Sequence, residues 1–148
     1  MRYSFQEFDE DIHYLVKQIE QSSKKYDYVV GIKRGGLIPA VCISNALKVP
    51  LYSLSWSTRD FPYSDTHNSA LAPLSKILLV DDLCDSGKTL IGIKELYSFC
   101  DIDTAVLLYN VDQIHVPTYY AKEFSRKEQK EFIDFWWEDY KQGYMNIL

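Results

Sequence analysis

The run Asp81-Asp82-Leu83-Cys84-Asp85-Ser86-Gly87-Lys88-Thr89 packs carboxylates, hydroxyls, a glycine and a lysine into one short stretch. Each of these types has a use at an anion site. Successive backbone N–H groups in a turn that opens a helix form a nest for a phosphate, and the helix dipole adds attraction. Gly87 lets a backbone approach closely, and Ser86 and Thr89 can add hydroxyl donors. Asp81 and Asp82 repel a phosphate, so their natural partners are sugar hydroxyls or a Mg²⁺ ion, which takes carboxylate, water and substrate oxygens. Gly87-Lys88-Thr89 matches the end of a Walker A loop, but the glycine required five positions earlier is Asp82, so the P-loop is rejected. Helix capping by Asp85 or Ser86 is the ordinary alternative. It does not explain two carboxylates placed directly after Ile77-Leu78-Leu79-Val80, where desolvation is costly without a partner.

These residues need elements to position them. Ser4-Phe5-Gln6-Glu7 reads as a capping box, and Phe5, Phe8, Ile12, Leu15, Val16 and Ile19 follow at helical spacing, so an amphipathic helix is expected there. Residues 26–32 form a β-rich run, followed by the turn Lys33-Arg34-Gly35-Gly36 and a helix-compatible stretch over 37–47. Residues 51–54 and 77–80 give two more strands, the second continuously apolar as in a strand buried on both faces. A helix over 89–99 and a fourth strand over 105–109 complete an alternation that predicts an α/β fold with a parallel sheet and right-handed crossovers. Ligands in such sheets collect at the carboxyl ends of the strands, where both glycine-containing loops fall. Residues 55–75, rich in Ser, Thr, Asp, Asn and Pro, are long for a loop in so small a domain and are expected to form a flexible lid.

Composition narrows the function classes. A chain of 148 residues with 47% hydrophobic and 15% aromatic content suits one domain, 1–148, with a substantial core. A net charge of -5 argues against a general nucleic-acid binder, which needs a basic surface. Cys42, Cys84 and Cys100 are odd in number and form no ligand pattern with His13, His67 and His115, so neither a disulfide framework nor a zinc site is expected. No apolar run approaches the roughly 20 residues that span a bilayer and no signal-peptide core opens the chain, so the expected compartment is cytoplasmic, with no membrane partner.

The run Ile77 to Thr89 resembles the signature with which type I phosphoribosyltransferases bind 5-phosphoribosyl 1-pyrophosphate (PRPP). Aliphatic strand, acidic pair, third aspartate, hydroxyl-glycine and threonine all coincide, with Ser86 where threonine is more usual. Val29-Val30-Gly31-Ile32-Lys33-Arg34-Gly35-Gly36-Leu37-Ile38-Pro39-Ala40 is similar to the family's pyrophosphate loop, in which an often cis peptide presents N–H groups to the leaving group. Near the end, Phe132-Ile133-Asp134-Phe135-Trp136-Trp137-Glu138 is similar to the aromatic hood of the xanthine-guanine and hypoxanthine-guanine branch, with Trp136 in place of a proline. A helix competes for this tail, because Ser125-Arg126-Lys127-Glu128 has the form of a capping box. The purine enzymes usually carry a lysine after the fourth strand to contact the 6-oxo group. This chain has Asn110, which can hydrogen-bond a base edge but lacks the charge.

The resemblance implies a single-domain type I phosphoribosyltransferase fold with a small hood formed by the termini, including residues 111–140. It implies transfer of phosphoribose from PRPP to a nucleobase, a purine by the branch, with release of pyrophosphate. Lys33, Arg34, Gly35, Asp81, Asp82, Asp85, Ser86, Gly87, Lys88 and Thr89 would hold PRPP, and Asp81 and Asp82 would also meet Mg²⁺. Asn110, Phe132 and Ile133 would hold the base. Asp85 would be the catalytic proton acceptor, under a lid that includes Trp56, Ser57, Thr58 and Arg59. A homodimer or homotetramer is the expectation by analogy. The resemblance also leaves room for a PRPP-binding regulator without catalysis and for a transferase with a non-purine acceptor.

Overall fold

A computed structural model describes residues 1–56 and 72–139. The expected lid lies mostly outside the described residues, Ser57, Thr58 and Arg59 with it. The helix α1, Phe5–Gln21, starts where the capping box predicts: Ser4 Oγ accepts from the Glu7 N–H at 3.2 Å, and Glu7 Oε2 accepts from the Ser4 N–H at 2.9 Å. Its buried stripe is Phe8, Ile12, Leu15 and Ile19, with Asp11 among them. Phe5, expected in that stripe, is exposed and rests edge-on against Trp136. Burying Asp11 is tolerated because the Tyr3 hydroxyl donates to it at 2.6 Å and the Lys122 ammonium lies at 3.5 Å.

The sheet contains β2 (Tyr28–Lys33), β3 (Leu51–Ser55), β4 (Lys76–Cys84), β5 (Asp101–Asn110) and β6 (Tyr119–Phe124), after a short β1 (Arg2–Tyr3). Its order is β3-β2-β4-β5-β6, parallel throughout. From β2 the chain first moves outward to β3 and then returns to build β4, β5 and β6 on the other side, so the winding reverses between β2 and β4. Crevices at such a reversal, outside the carboxyl ends of the strands, are where α/β sheets bind ligands. Helices α2 (Leu37–Leu47) and α3 (Lys88–Leu96) follow β2 and β4.

Alternation along the strands divides the core into two. Leu78 and Val80 of β4 join α1, α2 and the terminal segments on one face, while Ile77 and Leu79 join Leu90 and Ile93 of α3 on the other. This two-sided burial explains why the strand reads as an unbroken aliphatic run.

Two features of the sheet depart from the sequence expectation. The strand expected to end at Val80 continues to Cys84, because β5 goes on pairing with it at Asp81↔Val106, Leu83↔Leu108 and Cys84↔Tyr109. A fifth sheet strand, β6, follows β5 after residues 111–118 with no crossover helix. So short a parallel return is possible because β6 enters halfway along its neighbour, pairing Tyr119 with Ala105. In the tail, the helix that competed with the hood reading does not form. Residues 125–129 make only a turn, with the Glu128 and Gln129 N–H groups donating to Ser125 O. The strand β7 (Asp134–Phe135) then pairs in parallel with β1, Arg2 opposite Asp134 and Tyr3 opposite Phe135. Aromatic packing outweighs local helical spacing here: Phe135 stacks on Trp137 at 4.6 Å, and Tyr3 and Phe8 meet these rings edge-on. Residues 2–3 and 134–137 thus pack against one another beside the sheet.

Candidate active site

Where β4 runs past the end of its pairing with β2 but still pairs with β5, Asp81 and Asp82 stand side by side and half-buried, and the Asp82 N–H donates to Asp81 Oδ1 at 2.9 Å. Burial pushes the Asp81 carboxyl well above the ordinary carboxylate range, and the neighbouring Asp82 charge adds to the rise. Burial also raises Asp82. Among the described residues no cluster of three or more His, Cys, Asp or Glu side chains could cage a metal. The donor set therefore suits Mg²⁺ in its usual mode, one or two carboxylates with the remaining positions taken by water and substrate oxygens.

The chain then turns into α3. Gly87 takes a left-handed conformation, φ 77°, and packs so closely under the β5–β6 connection that a Cβ there would lie 2.8 Å from Gln113 Oε1 and 2.9 Å from His115 Cβ. Only glycine meets both demands. Ser86 Oγ accepts weakly from the Lys88 N–H at 3.3 Å, and no side chain caps the helix at Gly87. The first N–H groups of α3 thus open on the turn formed by residues 85–88.

Asp85 turns away from the helix start. Its carboxylate receives Arg126 Nε at 3.1 and 3.0 Å and lies 2.9 Å from Arg126 Nη2, while Asn110 Nδ2 donates to Asp85 Oδ1 at 3.2 Å and to its carbonyl at 3.1 Å. Asn110 is buried, and its Oδ1 accepts from the Asp112 and Arg126 N–H groups. The Asn110 amide is thereby committed at both ends to the protein.

The other loop lies beside these carboxylates. The Lys33–Arg34 peptide is cis, and both side chains are exposed. A Cβ on Gly35 would lie 2.0 Å from Asp82 Oδ2, and one on Gly36 would lie 2.6 Å from Ile32 O and 2.7 Å from Val80 O. The Arg-Gly-Gly turn therefore packs backbone directly against the acidic pair, and the two segments meet at the reversal between β2 and β4.

A family model, the phosphoribosyl transferase domain, matches residues 4–139, nearly the whole described chain. The chain belongs to the phosphoribosyltransferase family. It is 33% identical over 113 residues to a xanthine-guanine phosphoribosyltransferase of Cereibacter sphaeroides, a match covering 71% of this chain and 59% of that protein. The chain thus spans somewhat more than half the length of this curated relative. In structure it is similar to a purine phosphoribosyltransferase of Pyrococcus horikoshii, with TM-score 0.79, 27% identity and coverage of 95% of this chain and 94% of that one. A xanthine-guanine-hypoxanthine phosphoribosyltransferase of Helicobacter pylori shares the fold at TM-score 0.76 and 23% identity, covering 98% and 97% of the two chains. Among the described residues no helix is long and apolar enough to cross a membrane.

Of the residues singled out in the sequence, Lys33, Arg34 and Gly35 stand at the end of β2 and just after it, Asp81 and Asp82 lie in the last part of β4, and Asp85, Ser86, Gly87, Lys88 and Thr89 lead from β4 into α3. Phe132 is 78% exposed, whereas the Ile133 side chain is buried in the core and only its backbone remains for a ligand. Trp56, assigned to the lid, packs against Gly92 of α3 with its Nε1 buried and unpartnered. Sequence reasoning passed over Arg126, taking it as part of a helix start. Its partner Asp85 is 41 residues away, and no local pattern announces such a pair.

The acidic pair has a consequence for stability. An acid with higher proton affinity in the folded than in the unfolded chain takes up protons on folding, so Asp81 and Asp82 favour the fold at low pH and oppose it as pH rises through the carboxylate range. Asp81→Asn is expected to raise the melting temperature of the metal-free protein at about pH 8 by a few degrees, on a scale of about 2–4 °C per kcal/mol. At about pH 4 the gain should shrink. Scanning calorimetry at both pH values checks this, and equal gains would trace the effect to packing instead.

Proposed function

We propose that this chain is a Mg²⁺-dependent phosphoribosyltransferase that moves the 5-phosphoribosyl group of PRPP to a 6-oxopurine, guanine, xanthine or hypoxanthine, and releases pyrophosphate. The observation that carries this reading is the contact between the two loops: the Gly35 backbone sits against the Asp82 carboxylate, so a pyrophosphate on the first loop and a ribose on the second share one centre. The match to the family and the purine enzymes among its relatives support it. A cytoplasmic homodimer or homotetramer accords with the family resemblance.

The N–H groups of residues 86–89 and the hydroxyls of Ser86 and Thr89 bind the 5-phosphate, with Lys88 adding charge. Asp81 and Asp82 orient the ribose hydroxyls and would hold the metal. A Mg²⁺ ion held by these carboxylates would supply charge neutralisation for the leaving group. Lys33, Arg34 and the Gly35 N–H hold the same group through charge and backbone donors. The bond from the anomeric carbon to pyrophosphate breaks with its electron pair leaving on oxygen. A ring nitrogen of the base, stacked on Phe132 and edged by the Ile133 backbone, donates the pair that forms the new bond. Asp85 accepts the proton that the ring sheds, which requires hydrogen-bond reach. Asn110 acts by orienting Asp85.

Pyrophosphate release from PRPP and Mg²⁺, measured with guanine, xanthine, hypoxanthine, adenine and uracil, tests the proposal. Base-dependent release with the 6-oxopurines is the expected result. Turnover confined to uracil would place the acceptor outside the purines, and PRPP binding without turnover on any base would leave a regulator.

A further inference from the structure

The connection between β6 and β7 sends one cation into the site, and its guanidinium serves two masters. On one side Arg126 Nε and Nη2 grip both oxygens of Asp85 at 2.9–3.1 Å. On the other, Nη1 donates to Glu131 O at 2.7 Å and reaches Gln129 O at 3.5 Å. Glu131 immediately precedes Phe132. The guanidinium lies over the Phe124 ring, 5.1 Å from its centroid, and the Arg126 N–H donates to Asn110 Oδ1 at 3.3 Å.

From this we infer that Arg126 is a positioning residue: it ties the Asp85 carboxylate to the backbone that presents Phe132, and so sets the slot in which the acceptor base lies. The inference rests on the function proposed above and names the part of the site that fixes base geometry.

An isolated surface ion pair contributes little, but this one is neither isolated nor monodentate. A planar fork can hold a carboxylate on one edge and carbonyls on another, which a point-charge ammonium cannot. The Arg126 side chain is 26% exposed and Asp85 42%, so the clamp is the more sheltered partner and the carboxylate keeps an open face. A base stacked on Phe132 presents its ring nitrogen to Asp85 only if ring and carboxylate keep a fixed separation, and misplacement by about 1 Å can cost on the order of 100-fold in rate. Every guanidinium nitrogen is already engaged by the protein, which directs Arg126 toward geometry and away from reading the base edge.

The test compares wild type, Arg126→Ala and Arg126→Lys in steady-state pyrophosphate release on guanine, hypoxanthine and xanthine, with PRPP titrated and guanidinium chloride added at low millimolar levels. We expect Arg126→Ala to lose about 100-fold in kcat, to the same degree on every base the wild type uses, with the KM for PRPP unchanged. Added guanidinium should restore part of the rate, and Arg126→Lys should recover little, because one ammonium cannot span both sets of acceptors. Wild-type kcat in Arg126→Ala overturns the inference, as does a loss confined to one base or to the KM for PRPP. If Arg126→Ala does not fold, Arg126→Lys decides, and wild-type kcat there is fatal. A wild-type protein inactive on every base defeats the transferase reading and this inference with it. An active wild type with unaffected variants defeats the inference alone.

Discussion

Asp85→Asn should cut turnover by about 10²- to 10⁴-fold, the range associated with loss of a positioned acid or base, while PRPP still binds. The substitution preserves shape and removes chemistry. Both oxygens of Asp85 face donors, Asn110 Nδ2 at 3.2 Å and the Arg126 fork at 2.9–3.1 Å. An amide would turn its own NH₂ toward one of them and lose both the ion pair and the capacity to accept a proton. The phosphate nest should survive, because it is built from the backbone of residues 86–89 and is braced by Gln113 and His115 packed on Gly87. Pyrophosphate release and PRPP calorimetry in the presence of Mg²⁺ separate the two effects. An unchanged rate removes Asp85 from the chemistry, and loss of PRPP binding would show that the loop itself had moved.

The second large effect is expected at adjacent glycines, with opposite signatures. In Gly35→Ala the new methyl would lie 2.0 Å from Asp82 Oδ2 and 2.8 Å from its Cγ, so the carboxylate must swing away. A side-chain end can do that without unfolding the protein, but a ribose and metal ligand is then misplaced. We expect kcat/KM for PRPP to fall about 100-fold with little change in melting temperature. In Gly36→Ala the methyl meets backbone on two strands, Ile32 O at 2.6 Å, Val80 O at 2.7 Å and Asp81 Cα at 3.0 Å, none of which can rotate aside. Overpacking of this kind costs about 1–3 kcal/mol and should appear as a lower melting temperature. Kinetics and calorimetry on the pair decide the matter: an unimpaired Gly35→Ala enzyme would separate the Arg-Gly-Gly loop from the acidic pair in function.

Legibility varied with the range of the forces involved. The start of α1 was readable because a capping box is a contact between residues three apart, Ser4 and Glu7. The helix over 37–47 and the strands around 28–33 and 51–55 were readable from periodicity bounded by turn residues. The continuation of β4 to Cys84 was not, since Asp81 and Asp82 are poor strand formers and the extended run is carried by β5 pairing with Asp81, Leu83 and Cys84. The β1–β7 pair was unreadable as secondary structure for the same reason. Each strand is two residues long, and the pairing joins Tyr3 to Phe135 across almost the whole chain.

By itself the sequence determined the α/β alternation, the two glycine loops and the chemical types gathered in them, because burial period, turn chemistry and capping act over a few residues. Only the tertiary structure decided that Gly35 lies under Asp82, that the Asn110 amide is committed to Asp85, and that Arg126 bridges Asp85 to the segment before Phe132. Those contacts join residues brought together by strand order and by the hood, and their spacing along the chain carries no trace of them.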